Sequence, residues 1–309
     1  MPDIIITEFM DEAAVSSLSS DFDVHYDPNL ADQPDTIVAM AREARALIVR
    51  NRTQVTVALL DQCQALRCVG RLGVGLDNID VDACRARDIA VLPATGANDD
   101  AVAEYVVTGA MMLLRGAYLA TARVAAGEWP RQELSGRETG GKTLGLIGFG
   151  SIARQSANRA RALGMTVIGF DPYVAADDPA WQGLAERREH LNDLLAEADV
   201  VSLHVPLTDG TRHLIDAVAL NRMRPDSILI NAARGGVVDE AALADSLRGG
   251  RLGGAMLDVF ENEPLAAGSV LADVPNLILT PHIAGVTQES NVRVSRVTAD
   301  NVRRVLESK

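Results

Sequence analysis

Short apolar runs alternate with helix-compatible stretches along almost the whole chain. In the first 98 residues the runs are Ile4–Ile6, Val24–Tyr26, Ala46–Val49, Arg67–Leu72 and Ala90–Leu92. The stretches between them include Ala13–Leu18, Thr36–Ala44 and Val55–Ala65. This alternation predicts a parallel sheet with helices on both faces. Ala101–Ala126 reads as one long, largely apolar helix linking two lobes. It is ended by Gly127-Glu128-Trp129-Pro130, and a polar connector, Arg131–Gly141, follows. From Leu144 the alternation restarts, with strands expected at Leu144–Ile147, Thr166–Phe170, Val200–Leu203, Ser227–Ile230, Gly254–Leu257 and Leu277–Leu279. A last helix is expected at Gln288–Leu306. That helix can return to the first lobe and make it discontinuous. The expected domains are then 1–98 with 287–309, and 99–286, with the active site in the crevice between them.

The chemistry centres on Thr143–Asp171. An apolar strand runs into Gly148-Phe149-Gly150-Ser151-Ile152-Ala153, then a helix, then a second strand ending at Asp171. This is the dinucleotide-binding pattern, with alanine in the third glycine position. Gly148 permits the tight turn, Gly150 lets the backbone approach a pyrophosphate, and Ala153 allows close packing of helix and strand. The pyrophosphate is expected at the helix N-terminus, where free N–H groups and the helix dipole favour an anion. Asp171 can accept from ribose hydroxyls and would repel a 2′-phosphate. The following Pro172-Tyr173-Val174 offers no arginine to hold that phosphate, so the expected cofactor is NAD rather than NADP.

Composition narrows the class. The 309 residues allow two ordinary domains, and 48% are hydrophobic, enough for a substantial core. The 42 acidic and 29 basic residues leave a net charge of −13, which argues against nucleic acid and against an anionic membrane surface as partners. Such a surface suits solubility in a salty cytoplasm. Cys63, Cys68 and Cys84 make no CxxC or Cys/His cluster, so neither a metal site nor a disulfide is expected, but reduced thiols in the cytoplasm. The start, Met-Pro-Asp-Ile-Ile-Ile-Thr, lacks the features of a signal peptide, and no apolar run is long enough for a membrane span.

Five further motifs follow in order: Gly73-Val74-Gly75-Leu76-Asp77-Asn78-Ile79-Asp80, Leu203-His204-Val205-Pro206-Leu207-Thr208, Asn231-Ala232-Ala233-Arg234-Gly235-Gly236, Glu261-Asn262-Glu263-Pro264 and Thr280-Pro281-His282-Ile283-Ala284-Gly285. Together with the glycine turn, they resemble the D-2-hydroxyacid dehydrogenase family, which includes phosphoglycerate dehydrogenases. The resemblance covers nearly the whole chain. It implies a Rossmann NAD-binding domain inserted in a flavodoxin-like substrate domain, a homodimer built on the cofactor domains, and hydride transfer between NAD and a 2-hydroxy or 2-keto acid.

The residues themselves support that chemistry. Hydride leaves a carbinol carbon only as the hydroxyl proton leaves too, so a base is needed, and His282 is the candidate. Glu263 beside it would stabilise the protonated imidazole. The substrate carboxylate and developing oxyanion need a fixed cation, and Arg234 offers a planar fork of donors. By the resemblance these match the family's catalytic arginine, glutamate and histidine, and the N–H groups of Val74 and Gly75 hold the substrate carboxylate. The resemblance also implies cofactor contacts from Ser151 and Ile152 at the pyrophosphate, Asp171 at the adenosine ribose and Pro206 near the adenine. Ala232, Ala233, Arg234 and Asp258 are implied along the nicotinamide half, with His282 and Gly285 close by. His25, His190 and His213 read as structural. His204 does too, but it stands at a strand end where it can touch the cofactor.

Arg50-Asn51-Arg52-Thr53 follows a strand of the first lobe. The corresponding stretch of phosphoglycerate dehydrogenases carries arginines facing the substrate's phosphate. The two arginines are either solvated surface residues or ligands for a second anion on the substrate, with Arg52 the substrate-binding candidate. The second reading implies a dianion such as 3-phosphoglycerate or (S)-sulfolactate. The end at Lys309, without an appended regulatory domain, and the opening Ile-Ile-Ile-Thr-Glu-Phe-Met-Asp-Glu-Ala-Ala-Val, similar to bacterial proteins of the sulfolactate dehydrogenase type, lean toward sulfolactate. The rival activities are a glyoxylate/hydroxypyruvate reductase and, from another class, a non-catalytic NAD-sensing corepressor.

Overall fold

A computed structural model describes residues 2–308; the first and last residues of the expected discontinuous domain lie outside it. The chain divides into two compact units. One comprises the residues up to Asn98 together with those from Val286 onward, and the other is Asp99–Gly285.

The first unit holds five parallel strands: β1 (Ile4–Ile6), β2 (Val24–Tyr26), β3 (Ala46–Val49), β4 (Cys68–Arg71) and β5 (Ala90–Pro93), in the order β2-β1-β3-β4-β5. Successive side chains of a strand point to opposite faces. Ile4, Ile6, Ala46 and Ile48 accordingly pack with Val294, Ala299, Val302 and Leu306 of the C-terminal helix, Gln288–Glu307. Ile5, Leu47, Val49 and Val69 pack on the other face with Ile37, Leu59, Leu60 and Cys84. The C-terminal helix lies tight on β4, where a Cβ on Gly70 would stand 2.8 Å from Val302. A capping box at Thr287 and Ser290 starts that helix.

The second unit carries seven parallel strands: β6 (Thr143–Ile147), β7 (Thr166–Phe170), β8 (Glu186–Arg187), β9 (Val200–Leu203), β10 (Ile228–Asn231), β11 (Gly254–Leu257) and β12 (Leu277–Leu279). Their order is β12-β11-β10-β9-β6-β7-β8. Both faces are covered. Leu144, Leu146, Val200, Ile230 and Met256 meet the helix Asp99–Arg115 and the helix Ser151–Ala162. Ile147, Val201, Leu229 and Leu257 meet Leu194, Leu220, Leu243 and Leu247 of three helices on the other side. The strand order reverses between β6 and β9, which opens a ligand crevice at the carboxyl end of the sheet in folds of this type.

Three expectations about helices are corrected. The expected helix Val55–Ala65 is only Val57–Leu60, because Gln64 donates its N–H to Arg42 O and turns the chain toward β4. The expected helix Ala101–Ala126 is Asp99–Arg115 and a separate short helix, Thr121–Ala125. It stops where Gly116 takes a left-handed conformation and Leu114 O accepts from Arg137 N at 2.8 Å. The longer piece does not serve as a linker. It belongs to the second unit and packs on its sheet, where a Cβ on Gly109 would lie 2.5 Å from Met256 Sδ. Among the described residues no helix is long and apolar enough to cross a membrane.

Candidate active site

The motif residues of the second unit converge because they follow parallel strands. Gly148, Asp171, His204, Ala232 to Gly236, Asp258 to Pro264 and Thr280 to Gly285 all lie just past the carboxyl ends of β6, β7, β9, β10, β11 and β12.

At the switch point, His204 N donates to Ile147 O at 2.7 Å, and a Cβ on Gly148 would stand 2.5 Å from His204 O. Gly148 also has φ +87°, so glycine is required there twice over. Gly150 is different. Its φ is −71°, and a Cβ there would meet no atom of the chain within 4 Å. Neither the backbone nor internal packing demands glycine there, and the open space leaves room for a ligand to approach. No side chain caps the helix Ser151–Ala162 that follows. A bare helix start beside a side-chain-free approach fits a pyrophosphate. Asp171 accepts from Phe149 N and from Tyr173 N, each at 2.8 Å, so it braces the glycine turn and keeps further lone pairs for ribose hydroxyls. The His204 ring makes a 3.0 Å contact with Ser202 Oγ, and burial pushes it down to about 4, leaving a neutral imidazole at this turn.

The catalytic candidates lie on three adjacent loops. His282 Nδ1 is 2.8 Å from Glu263 Oε2, and Glu263 Oε1 accepts from Phe260 N at 3.0 Å. An ionised carboxylate only accepts, so the proton sits on Nδ1 and the Nε2 lone pair is available. Half of the His282 side chain is exposed. Its backbone takes φ +54°, uncommon for a residue with a side chain, and its N–H is held by Asp258 O at 2.8 Å. The Arg234 loop is closed by Asn231, whose amide accepts from Ala233 N at 3.0 Å and donates to Arg234 O at 2.9 Å. Arg234 Nη1 donates to Ala233 O at 2.6 Å. This loop lies directly against the Glu263 loop, for a Cβ on Gly235 would stand 1.7 Å from Phe260 O.

Asp258, expected along the nicotinamide half, has a wider bracing role than the sequence suggested, and Tyr105 and Glu240 carried no signal of their own. Buried Asp258 accepts from Thr280 Oγ1 at 2.6 Å and from Ile283 N at 2.8 Å on one oxygen, and from Ala284 N at 2.7 Å on the other. It therefore braces the His282 loop and has a remaining lone pair for a cofactor amide. Because Thr280 gives its one proton to Asp258, the 2.6 Å contact with Tyr105 has the phenol as donor. Burial, together with the nearby Asp258 carboxylate, pushes that phenol up to about 12, so it keeps its proton. Glu240 holds Glu261 N at 2.7 Å, and burial, with the carboxylates of Glu261 and Glu263 adding to it, raises its carboxyl above the usual range.

The remaining candidates belong to the first unit. Val74 and Gly75 are half-buried, and among the described residues neither N–H finds a protein acceptor. Arg52 is half exposed and ion-paired with exposed Asp32. Arg50 instead donates to Asn291 Oδ1 at 2.7 Å and lies over the Phe9 ring at 5.9 Å.

The family model for the NAD-binding domain of D-isomer specific 2-hydroxyacid dehydrogenases matches residues 107–284. An (S)-sulfolactate dehydrogenase of Chromohalobacter salexigens is 64% identical over 306 residues, 99% of each chain. A D-3-phosphoglycerate dehydrogenase of Methanocaldococcus jannaschii is 37% identical over 99% of this chain, which spans only 58% of that longer protein. The crystal structure of a D-lactate dehydrogenase of Aquifex aeolicus, with NAD and lactic acid, matches with a TM-score of 0.86 at 28% identity, over 98% of this chain and 94% of the other. With the glycine turn, the His–Glu pair and the adjoining arginine loop on one sheet edge, these matches show that the chain belongs to the D-isomer-specific 2-hydroxyacid dehydrogenases, NAD-dependent oxidoreductases of 2-hydroxy and 2-keto acids.

Proposed function

We propose that the enzyme interconverts (S)-sulfolactate and its 2-keto acid, sulfopyruvate. The observation that carries this choice is the 64% identity, over the full length of both chains, to a protein of that activity. Arg52 on the segment after β3 is the candidate cation for the sulfonate, which would displace its exposed partner Asp32.

When bound, NAD supplies the hydride acceptor. The chain's own groups are given the following roles in this reading. In the first unit the N–H groups of Val74 and Gly75 are donors for the substrate carboxylate, and in the second unit Arg234 is the cation for the developing oxyanion. His282 Nε2 accepts the hydroxyl proton while the C2 hydrogen departs as hydride, leaving the keto acid. Glu263 keeps the Nδ1 proton in place and stabilises the resulting imidazolium. In the cofactor site, Gly148, Gly150, Ser151 and Ile152 take the pyrophosphate, Asp171 the ribose, and His204 and Pro206 the adenine side. Ala232, Ala233, Asp258 and Gly285 take the nicotinamide half.

The enzyme also reads as a homodimer in the cytoplasm. Met111 and Met112 on the long helix of the second unit, and Trp129 after it, are exposed large apolar side chains that a second copy could cover. Light scattering at twice the 32.9 kDa chain mass checks this. All three cysteines are free thiols, as in a reducing compartment, and cell fractionation tests that placement.

The experiment is NADH oxidation against sulfopyruvate, phosphohydroxypyruvate, hydroxypyruvate and glyoxylate, compared as kcat/KM, with Arg52→Ala alongside. Sulfopyruvate should be the best substrate. Losing a charge-assisted contact to the second anion should raise its KM by about tenfold or more, with a much smaller effect on glyoxylate. An equal effect on both, or a preference for glyoxylate, would reject the dianion.

A further inference from the structure

The buried carboxylate of Glu8 has no part in the chemistry above, yet it has an unusual set of partners. Glu8 follows β1, which pairs with β3 so that Ile6 lies opposite Ile48. This puts Glu8 beside the segment that leaves β3. Its Oε1 accepts from Arg50 N at 2.9 Å and Thr53 N at 3.1 Å, and its Oε2 from Asn51 N at 3.2 Å and Arg52 N at 3.0 Å. Four consecutive N–H groups thus converge on one carboxylate, a concave anion nest made by the backbone. The residue is 3% exposed. Burial alone would raise its carboxyl, but the four N–H donors outweigh it and hold it below the ordinary value, so the group is charged at neutral pH.

The same segment is tied at its far end. Thr53 Oγ1 lies 2.7 Å from Thr7 Oγ1, and Thr53 O accepts from Asn78 Nδ2 at 2.7 Å. Asn78 O in turn accepts from Val55 N at 2.8 Å. Asn78 lies in the same loop as Val74 and Gly75. The segment bearing Arg52 and the loop bearing the carboxylate-binding amides are therefore joined within one unit, with Glu8 underneath.

We infer that Glu8 is a positioning residue for substrate recognition: its carboxylate fixes the backbone of residues 50–53 so that Arg52 is presented to the second anion of the substrate. The inference rests on the reading of residues 50–53 as the anion-binding segment. The physical reason is entropic. An arginine on a free loop loses backbone freedom on binding, whereas one on a loop with four N–H groups already satisfied does not.

The test is Glu8→Gln in the full-length enzyme, assayed with NADH and sulfopyruvate beside Arg52→Ala. The amide matches the carboxylate in size but turns one acceptor oxygen into a donor. Whichever way it is oriented, its NH2 faces two of the four N–H groups, so the segment must shift. Loss of two buried bonds to a charged acceptor should raise the KM by about tenfold or more while kcat stays within about twofold. A merely structural role would lower kcat through loss of folded enzyme and leave KM alone, and that outcome overturns the inference. So does a lower KM, which would mean that Glu8 acts on the anion only by repulsion. Raised KM in Arg52→Ala with none in Glu8→Gln rejects the positioning role alone. Raised KM in Glu8→Gln with none in Arg52→Ala also overturns the inference, because Arg52 is then not the ligand that Glu8 positions. No rise in either variant rejects the anion-binding segment and the inference with it.

Discussion

Replacing Glu263 with glutamine separates the base from its partner. In the wild type one oxygen of Glu263 takes the imidazole Nδ1–H at 2.8 Å and the other takes Phe260 N–H at 3.0 Å. A glutamine can satisfy only one of these. If its oxygen faces Nδ1, the tautomer survives, but the charge that stabilises the imidazolium is gone and NH2 confronts Phe260 N–H. If its NH2 faces Nδ1, the proton is driven to Nε2, which then cannot accept from the substrate. A hydrogen bond to a charged group contributes about 1.5–3 kcal/mol, and the low end applies because Glu263 and His282 are both partly exposed. At about 1.4 kcal/mol per decade, the loss is at least about tenfold in kcat, and more if the second orientation dominates. The assay is steady-state oxidation of the hydroxy acid, with NADH binding followed by fluorescence to show an intact cofactor site. Turnover within about twofold of wild type would refute the role given to the pair.

Two further substitutions probe the cofactor turn. Gly148→Ala puts a Cβ 2.5 Å from His204 O at a φ of +87° and should cost about 1–3 kcal/mol or more of stability, read as a lowered Tm. Gly150→Ala meets no protein atom within 4 Å, so its Tm should be unchanged while NAD affinity falls; unchanged affinity would remove the argument that a ligand approaches this glycine. His204 titrates near 6.5 when unfolded and near 4 when folded, so in that interval the unfolded chain binds the extra proton. The stability it lends is complete above pH 6.5 and drains as pH falls toward 4. His204→Asn should flatten the fall in Tm across this window, and an unchanged slope would show that other groups cause it.

Much was legible in the chain itself because it depends on near neighbours. Buried parallel strands are continuous apolar runs, and β1, β2, β3, β7, β9, β11 and β12 lie where those runs predict. The glycine turn and Asp171 were readable because strand, turn, helix and acid are contiguous. Helix lengths were less readable. Gly116 permits a left-handed stop, but which glycine ends the helix was decided with the tertiary partner of Leu114 O. Short helices at Val81–Arg85, Ala217–Arg222 and Glu240–Arg248 were missed, although Asp80, Asp216 and Asp239 before them are N-caps and offered a signal.

From residue order alone came the α/β class and the dinucleotide turn, each marked by contiguous residues, while Arg234, Glu263 and His282 were chosen as candidates through the motifs that resemble the family. Tertiary structure alone decided what braces the candidate segments. Glu8 meets a segment 42 to 45 positions away, Tyr105 reaches Thr280 across 175, and Asp258 braces the His282 loop across 25 and 26. Such pairings depend on which strand ends are neighbours in a sheet. That order is set by how whole strands and helices cover one another's apolar faces, and it leaves no mark on the few residues flanking either partner.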